Sequence, residues 1–505
     1  MVLSPSNFAV SNLPNETASL TASLNGQYAG LLPSSTDPKN PSNYFFWYFP
    51  TVGGTAAHNN LVIWLNGGPG CSSLLGSWIE NGPINFKADG SLAANPYSWH
   101  KQANVLYVEQ PVGTGFDLDS ITSNFNETGI ASFFYTFLDN FASVFTDVKT
   151  KDLFITGESY AGTYIPHIST GLISRQNWTD GSKINFKGIG LGNPALDSKK
   201  LDDYRNTVDD FDFFKESGFF TLPHASDVET KVGALAQFCK TATPDQVFND
   251  QDLALCNVPL ALELWYVYTP ESPGLHQTYG INNTCFDPYH ITNQIPCDVA
   301  SSSFWRQEAA VTAYLNNPDV QKAIHVSQEV TANFTWNECN GITVNRGGHF
   351  NATADVSAST LLDSIIAADV KVVIYEGMND GVCHYVYVER VLGNTTWKGS
   401  QGFKAPFNDW SVESKLAGKI RKDRGLTYIQ VNDAGHMVPS DQPASAFGVL
   451  AELLAEGKPS DAATYASASP ITVGYISTPV TRLYSGGRAF GLSIAVAVLA
   501  VGSSL

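Results

Sequence analysis

Residues 152–168, DLFITGESYAGTYIPHI, decide the fold. They read as an apolar strand (LFIT, 153–156), a tight turn around Ser159, and then a helical pattern. Small residues stand around the serine at Gly157, Ala161 and Gly162, where a strained strand-to-helix turn leaves no room for side chains beside an exposed hydroxyl. This is the pattern of a nucleophile elbow, with Ala161 at the last small position where the general motif has glycine. The five-residue match is weak by itself. The strand before it and the helix after it give it weight.

Outward from the elbow, short apolar runs rich in β-branched and aromatic residues recur: YFFWYF (44–49), LVIWL (61–65), VLYVE (105–109), IGLG (189–192), VVIYE (372–376) and YIQV (428–431). They read as buried strands. Between them lie helical patterns such as 129–147, where Phe134, Phe137, Leu138, Phe141 and Phe145 recur at helical spacing and are assigned to the core. Strands alternating with helices predict an α/β protein with a mostly parallel central sheet and helices on both faces. The strand signal lapses between about 200 and 345. The expected organisation is therefore an N-terminal segment (1–25), a first core part (26–199), an inserted cap (200–345), a second core part (346–458), and a linker with a hydrophobic tail (459–505).

A serine nucleophile needs a base, and the base an orienting carboxylate. In α/β-hydrolases the chain order is serine, acid, histidine, the last two at strand ends. The strand VVIYE runs into GMNDGVCHY, offering Asp380, and YIQV runs into NDAGHMVP, offering His436. Asp433 and His384 are their rivals, Asp433 being equally readable as a turn residue. The reaction also needs two backbone donors aimed at the oxyanion. The strand LVIWL leads into NGGPGCSS, so the natural pair is the N–H of Gly68 and that of Tyr160, the residue after the nucleophile. The same glycine-rich loop lacks the Lys-Ser/Thr ending of a phosphate-binding loop.

Charged residues are only 15% of the 505, against a usual share of about 25%. With 29 Lys+Arg against 47 Asp+Glu, the net charge of −18 excludes nucleic acid as a natural partner. Seven cysteines are scattered without a CxxC pair, which argues against a structural metal site; no metal or cofactor is expected. Five of them lie between 239 and 339, a stapled stretch that points to an oxidising compartment. Sequons at Asn15, Asn126, Asn177, Asn282, Asn333, Asn351 and Asn394 are candidate glycosylation sites. The expected location is the secretory route, with an extracellular, cell-surface or vacuolar destination. The start, MVLSPSNFAVSNLP, lacks a signal-peptide pattern, so a longer start is expected. The run AFGLSIAVAVLAV (489–501) is shorter than the roughly 20 residues of a membrane span. After Ser485, Gly486 and Gly487 it reads as a lipid-anchor signal, with a merely hydrophobic tail as the alternative.

WLNGGPGCSS, EQPVGTGF, GESYAGTYIP, YLNNPDVQKAIHV, the pair Asp380-x-x-Cys383 and GHMVP, in that order, resemble the fungal-type serine carboxypeptidase family, with matches from about Tyr28 to Pro443. The resemblance implies an α/β-hydrolase fold and an exopeptidase acting on the C-termini of peptides and proteins at acid pH. It carries Ser159, Asp380 and His436 as the triad, and Gly68 and Tyr160 as the oxyanion hole. It also implies a site for the substrate's free carboxylate, built from Asn66, Gly67, Glu158 and Glu80, with Trp64 and Met437 in the substrate pocket. A glutamate binds a carboxylate only while a proton remains between them, so Glu80 and Glu158 would share one.

By the same resemblance Cys71 pairs with Cys339, Cys239 with Cys256, and Cys285 with Cys297, leaving Cys383 as a free thiol. Glu109 and Asp117 stand where the family more often has Asp and Ser, and Asp117 is expected to alter the cleft's side-chain preference. Two rival functions are an acyltransferase of the same fold and an inactive binding protein. Release of amino acids from a free C-terminus tests the first, and labelling by a fluorophosphonate tests the second.

Overall fold

The computed structural model describes residues 3–39, 41–86, 91–119, 126–197, 206–217, 284–296, 303–326, 335–339 and 356–455, with Gly233, Ala236 and Gln237 besides. One sheet runs through it. Its main strands are β1 (Tyr28–Pro33), β2 (Ser42–Phe49), β3 (Asn60–Leu65), β4 (Asn104–Val108), β5 (Asp152–Glu158), β6 (Asn185–Gly192), β7 (Lys371–Gly377), β8 (Asn408–Val412), β9 (Lys415–Asp423) and β10 (Leu426–Val431). Their spatial order is β1-β2-β4-β3-β5-β6-β7-β10-β9-β8.

The six strands from β4 to β10 are parallel, and an antiparallel ribbon flanks them on each side. The sheet is thus parallel only at its centre. Central strands are covered on both faces and read as continuous apolar runs, which is why all six were legible in the sequence. Strands β8 (NDWSV) and β9 (KLAGKIRKD) escaped that reading because few of their residues are buried.

Helices α1 (Glu127–Val144) and α2 (Ala161–Arg175) lie on one face. The predicted stripe of α1 is core: Phe134, Phe137, Leu138 and Phe141 are fully buried among Ile165, Ile168 and the outward residues of the sheet. Asn126, one of the sequons, caps this helix by accepting a hydrogen bond from Gly129 N–H. Within the stretch expected as a cap, α3 (Asn206–Glu216) approaches the second core part, whereas α4 (Ser303–Leu315) and α5 (Pro318–Ala323) pack differently. Val311, Leu315, Val320 and Ile324 join Trp64, Trp78 and Leu450 in the core of the sheet's other face. Helix α6 (Tyr385–Asn394) lies on the α1 side and α7 (Pro443–Leu454) opposite.

This topology brings the chemistry together. Strands β3, β5, β6, β7 and β10 are consecutive neighbours, and Asn66, Ser159, Asn193, Asp380 and His436 all lie in the turns beyond their carboxyl ends.

Candidate active site

The turn at Ser159 is strained as the elbow pattern requires: β5 ends at Glu158, α2 begins at Ala161, and Ser159 sits between them at φ 60°. Its N–H donates to Gly192 O at 2.9 Å, and its carbonyl accepts from the N–H groups of Gly162 and Ala195, both at 2.9 Å. Gly162 must be small, because a Cβ there would stand 2.3 Å from Pro194 Cβ.

Asp380 and His436 meet. His436 Nδ1 lies 2.7 Å from Asp380 Oδ2, and both side chains are buried. Asp380 accepts three further hydrogen bonds, from Val382 N–H (2.7 Å), Cys383 N–H (3.2 Å) and Asn193 Nδ2 (2.8 Å), so its negative charge is fully served. His436 N–H donates to Tyr289 O at 2.7 Å, and the Tyr289 ring meets the imidazole edge-on at 5.4 Å between centroids. Burial opposes a charge on His436, but Asp380 outweighs it, and the imidazole is raised above its ordinary value. The rivals separate. His384 Nε2 bonds Asp210 Oδ1 at 2.8 Å, and Asp433 is an exposed turn residue at φ 54°. The Cys383 thiol lies close to Ser159.

A second group forms on the other side of the serine. Asn66 Oδ1 accepts from Trp64 Nε1 (2.7 Å) and Gly76 N–H (3.2 Å), which fixes the amide so that its Nδ2 donates to Glu158 Oε1 at 3.1 Å. Trp64, expected in the substrate pocket, is 0% exposed and orients Asn66 from beneath. Glu80 ends a π-helical turn (Gly76–Glu80) and lies against Glu158. Burial pushes Glu80 up to about 7. Glu158 is raised well above the usual carboxylate range, first by burial and then by Glu80. Neither oxygen of Glu80 has a well-aligned donor among the described residues, a need that a proton held within the pair would meet. Gly67 lies directly on the elbow, where a Cβ would fall 2.4 Å from Tyr160 N. Gly68 follows at φ 110°.

The chain as a whole is similar to known proteins. A model of the serine carboxypeptidase family matches residues 18–456. The chain belongs to that family. It is 31% identical over 429 residues to a pheromone-processing carboxypeptidase KEX1 of Arthroderma otae, covering 83% of this chain and 63% of that protein's length. A protein of the same description from Leptosphaeria maculans is 30% identical over 450 residues, covering 86% of this chain and 67% of its length. Among solved structures, Kex1(delta)p, a prohormone-processing carboxypeptidase from Saccharomyces cerevisiae, matches with a TM-score of 0.71 at 23% identity, covering 89% of this chain and 96% of that one. The latter likeness supports the fold.

Within this member of the family, the disulfide Cys71–Cys339 closes over a sequence separation of 268 residues. It ties the glycine-rich loop to residues 335–339, and Ser72 N–H adds a bond to Glu338 O at 2.8 Å. Cys239, Cys256 and Cys297 lie outside the described residues, as does the side chain of Cys285. Glu109 accepts from Ser72 Oγ (2.6 Å) and Ser73 N–H (3.1 Å), so it braces the loop from below. Asp117 is likewise part of the scaffold: buried at 3% exposure, it accepts from Phe45 N–H at 2.7 Å, which corrects the expectation that it shapes the cleft. Met437 is half-buried against the second core. Asn15, Asn177 and Asn394 are exposed, while Asn282, Asn333 and Asn351 lie outside the described residues, as does the tail 456–505 with its anchor reading. No helix among the described residues is long and apolar enough to cross a membrane.

Cys383 is free and buried, and burial together with Asp380, Glu376 and Glu158 pushes its thiol well above the ordinary value. Burial and the scarcity of thiolate should make its reaction slow, yet a bulky mercurial once attached is expected to inhibit by occupying space beside Ser159, and to react faster as pH rises and thiolate forms. Cys383→Ser should remain active and resist. Loss of turnover in that variant would assign the thiol a structural or catalytic part.

The sequence reading missed Asn193, Tyr289, Glu376 and Asp441. Asn193 had a signal, a polar residue at the carboxyl end of a recognised strand. Asp441, whose Oδ2 accepts from Gly435 N–H at 2.8 Å and steadies the His436 loop, had none.

Proposed function

We propose that this protein is a serine-type carboxypeptidase that hydrolyses the C-terminal bond of peptides and proteins at acid pH. The observation that carries the reading is the Asn66–Glu158 bond beside the elbow serine, with Glu80 closing a buried acid pair. A general esterase has no use for such a group, whereas a C-terminal carboxylate needs donors that bear no negative charge.

In this reading Ser159 Oγ attacks the scissile carbonyl and His436 takes its proton. Asp380 holds the imidazole and offsets the charge it gains. The N–H groups of Gly68 and Tyr160 receive the oxyanion, in the space that the missing side chain of Gly67 leaves open over Tyr160 N. His436 then protonates the departing amine, and water repeats the cycle on the acyl-enzyme. Asn66, the Gly67 backbone and the Glu80–Glu158 pair hold the terminal carboxylate.

The alkaline limit of the acid range follows from the same pair, which loses its proton as pH rises. An ionised Glu80 also raises the proton affinity of His436, so a protonated Glu80 lessens, without removing, the pull that keeps a proton on the imidazole.

The test compares a peptide with its C-terminal amide. Amino-acid release should be favoured for the free carboxylate by roughly 10- to 100-fold in kcat/KM, the value of a charge-assisted hydrogen bond or two. Equal rates on both substrates would discard the carboxylate site. Transfer of the acyl group to an added alcohol or amine in place of water would favour the acyltransferase.

A further inference from the structure

Behind Asp380 stands a buried carboxyl group that the steps above do not use. Glu376 is the penultimate residue of β7 and is 0% exposed, as are Asn193 and Asp380. Asn193, just beyond β6, is clamped to β7 by two backbone bonds: its N–H donates to Tyr375 O at 2.8 Å, and its Oδ1 accepts from Gly377 N–H at 3.2 Å. That second bond fixes which end of the amide is Nδ2. Nδ2 then faces two carboxyl groups at once, 2.8 Å from Asp380 Oδ2 and 3.3 Å from Glu376 Oε2. An amide nitrogen has two hydrogens, so it can serve both.

The two acids are served unequally. Asp380 receives four donors. Glu376 receives one, and its Oε1 has no hydrogen-bond partner among the described residues. A buried carboxylate with one donor and an orphan oxygen is far costlier than a buried carboxylic acid. The acidic groups facing Glu376 are Asp380 and Glu389, with Tyr428 beside it from β10. Arg421 is directed to Glu389 instead, at 3.8 Å. Those facing His436 are Asp380, Glu80 and Asp441.

We infer that Asn193 and Glu376 form a positioning pair for Asp380, in which Asn193 divides its amide between the two carboxyl groups and Glu376 is the uncharged member. The inference rests on the reading of Asp380 and His436 as triad members. Asn193 holds Asp380 Oδ2 at the angle from which it meets His436 Nδ1. Glu376 occupies the other amide hydrogen, which stops Asn193 from turning away. Because Glu376 carries no charge, Asp380 remains the only anion in contact with that amide.

Three measurements test this, two of them independent of turnover. Difference infrared spectroscopy of wild type against Glu376→Gln should show the band of a protonated carboxylic acid, present only in wild type. No such band would mean Glu376 is ionised and would overturn the inference. In a Ser159→Ala background, the His436 titration followed by NMR should stay in place with Glu376→Gln, since one neutral group replaces another. It should move upward with Asn193→Ala, since Asp380 then shares its charge with one donor fewer. An unmoved titration in Asn193→Ala, or one displaced by Glu376→Gln, would count against the pair.

Per fluorophosphonate-titrated site, Asn193→Ala should lower kcat by about 10- to 100-fold with KM nearly unchanged. A merely structural role would reduce the titrated fraction and leave kcat per site intact. Failure of the triad reading would appear separately, as turnover by Ser159→Ala.

Discussion

Turnover of a C-terminal peptide substrate by Ser159→Ala is expected to fall by a factor on the order of 10⁴ to 10⁶, and by a similar factor in His436→Ala, while both proteins remain folded. The reason is the division of labour proposed above for the site. Ser159 sits at φ 60° at the end of β5, so the elbow presents its hydroxyl, and His436 Nδ1 is held 2.7 Å from Asp380 Oδ2. Removing either the nucleophile or its base leaves only the oxyanion donors and the carboxylate group. The folded state should survive, because alanine at 159 keeps the backbone bonds to Gly192, Gly162 and Ala195. The double variant should lose no more than either single one, since the two act as a unit. Turnover close to wild type by pure Ser159→Ala, with near-ultraviolet dichroism unchanged, would eliminate the nucleophile assignment.

The second large effect is on the pH dependence of KM. Both acids of the Glu80–Glu158 pair are raised, Glu80 to about 7, so they keep protons well above the ordinary carboxylate range. In the proposed site the pair donates to the substrate's carboxylate below that value. As pH rises through it, the pair gives up the proton it offers, and the charge left behind opposes the substrate's own. KM for a free-carboxylate peptide should therefore climb above about pH 7, while KM for the corresponding amide or ester stays flat.

Glu158→Gln should weaken peptide binding most at acid pH, because an amide is a poorer donor than a carboxylic acid, and should hardly affect a blocked substrate. Equal losses on both substrates at every pH would reassign Glu158 to support of the elbow. The same shifts bear on stability. Between the ordinary value of 4.5 and about 7 the folded protein binds more protons at Glu80 than the unfolded chain does, so this group's contribution to stability declines as pH rises across that window.

Much of this site could be read from the residues alone. The elbow was legible because a nucleophile on a strained turn needs Gly157 and Gly162 beside it, and because a fully covered strand such as LFIT is a continuous apolar run. Asp380 and His436 were legible by chain order and by their places after VVIYE and YIQV. Their rivals were not removed by sequence, since Asp433 and His384 also follow strand ends. Only the fold turned His384 toward Asp210 and placed Asp433 in solvent.

Side-chain direction and burial were beyond the sequence for a physical reason: both depend on which strands are neighbours, and local pattern does not encode sheet order. Trp64 has the composition of a pocket residue, yet the register of β3 between β4 and β5 buries it beneath Asn66. Asn193 and Glu376 lie 183 residues apart in sequence and meet only because β6 and β7 are adjacent. By itself, then, the sequence determined the fold class, the family and which residues to propose for the chemistry. The tertiary structure decided which carboxyl groups meet, how many donors each receives, and so which can afford to be charged.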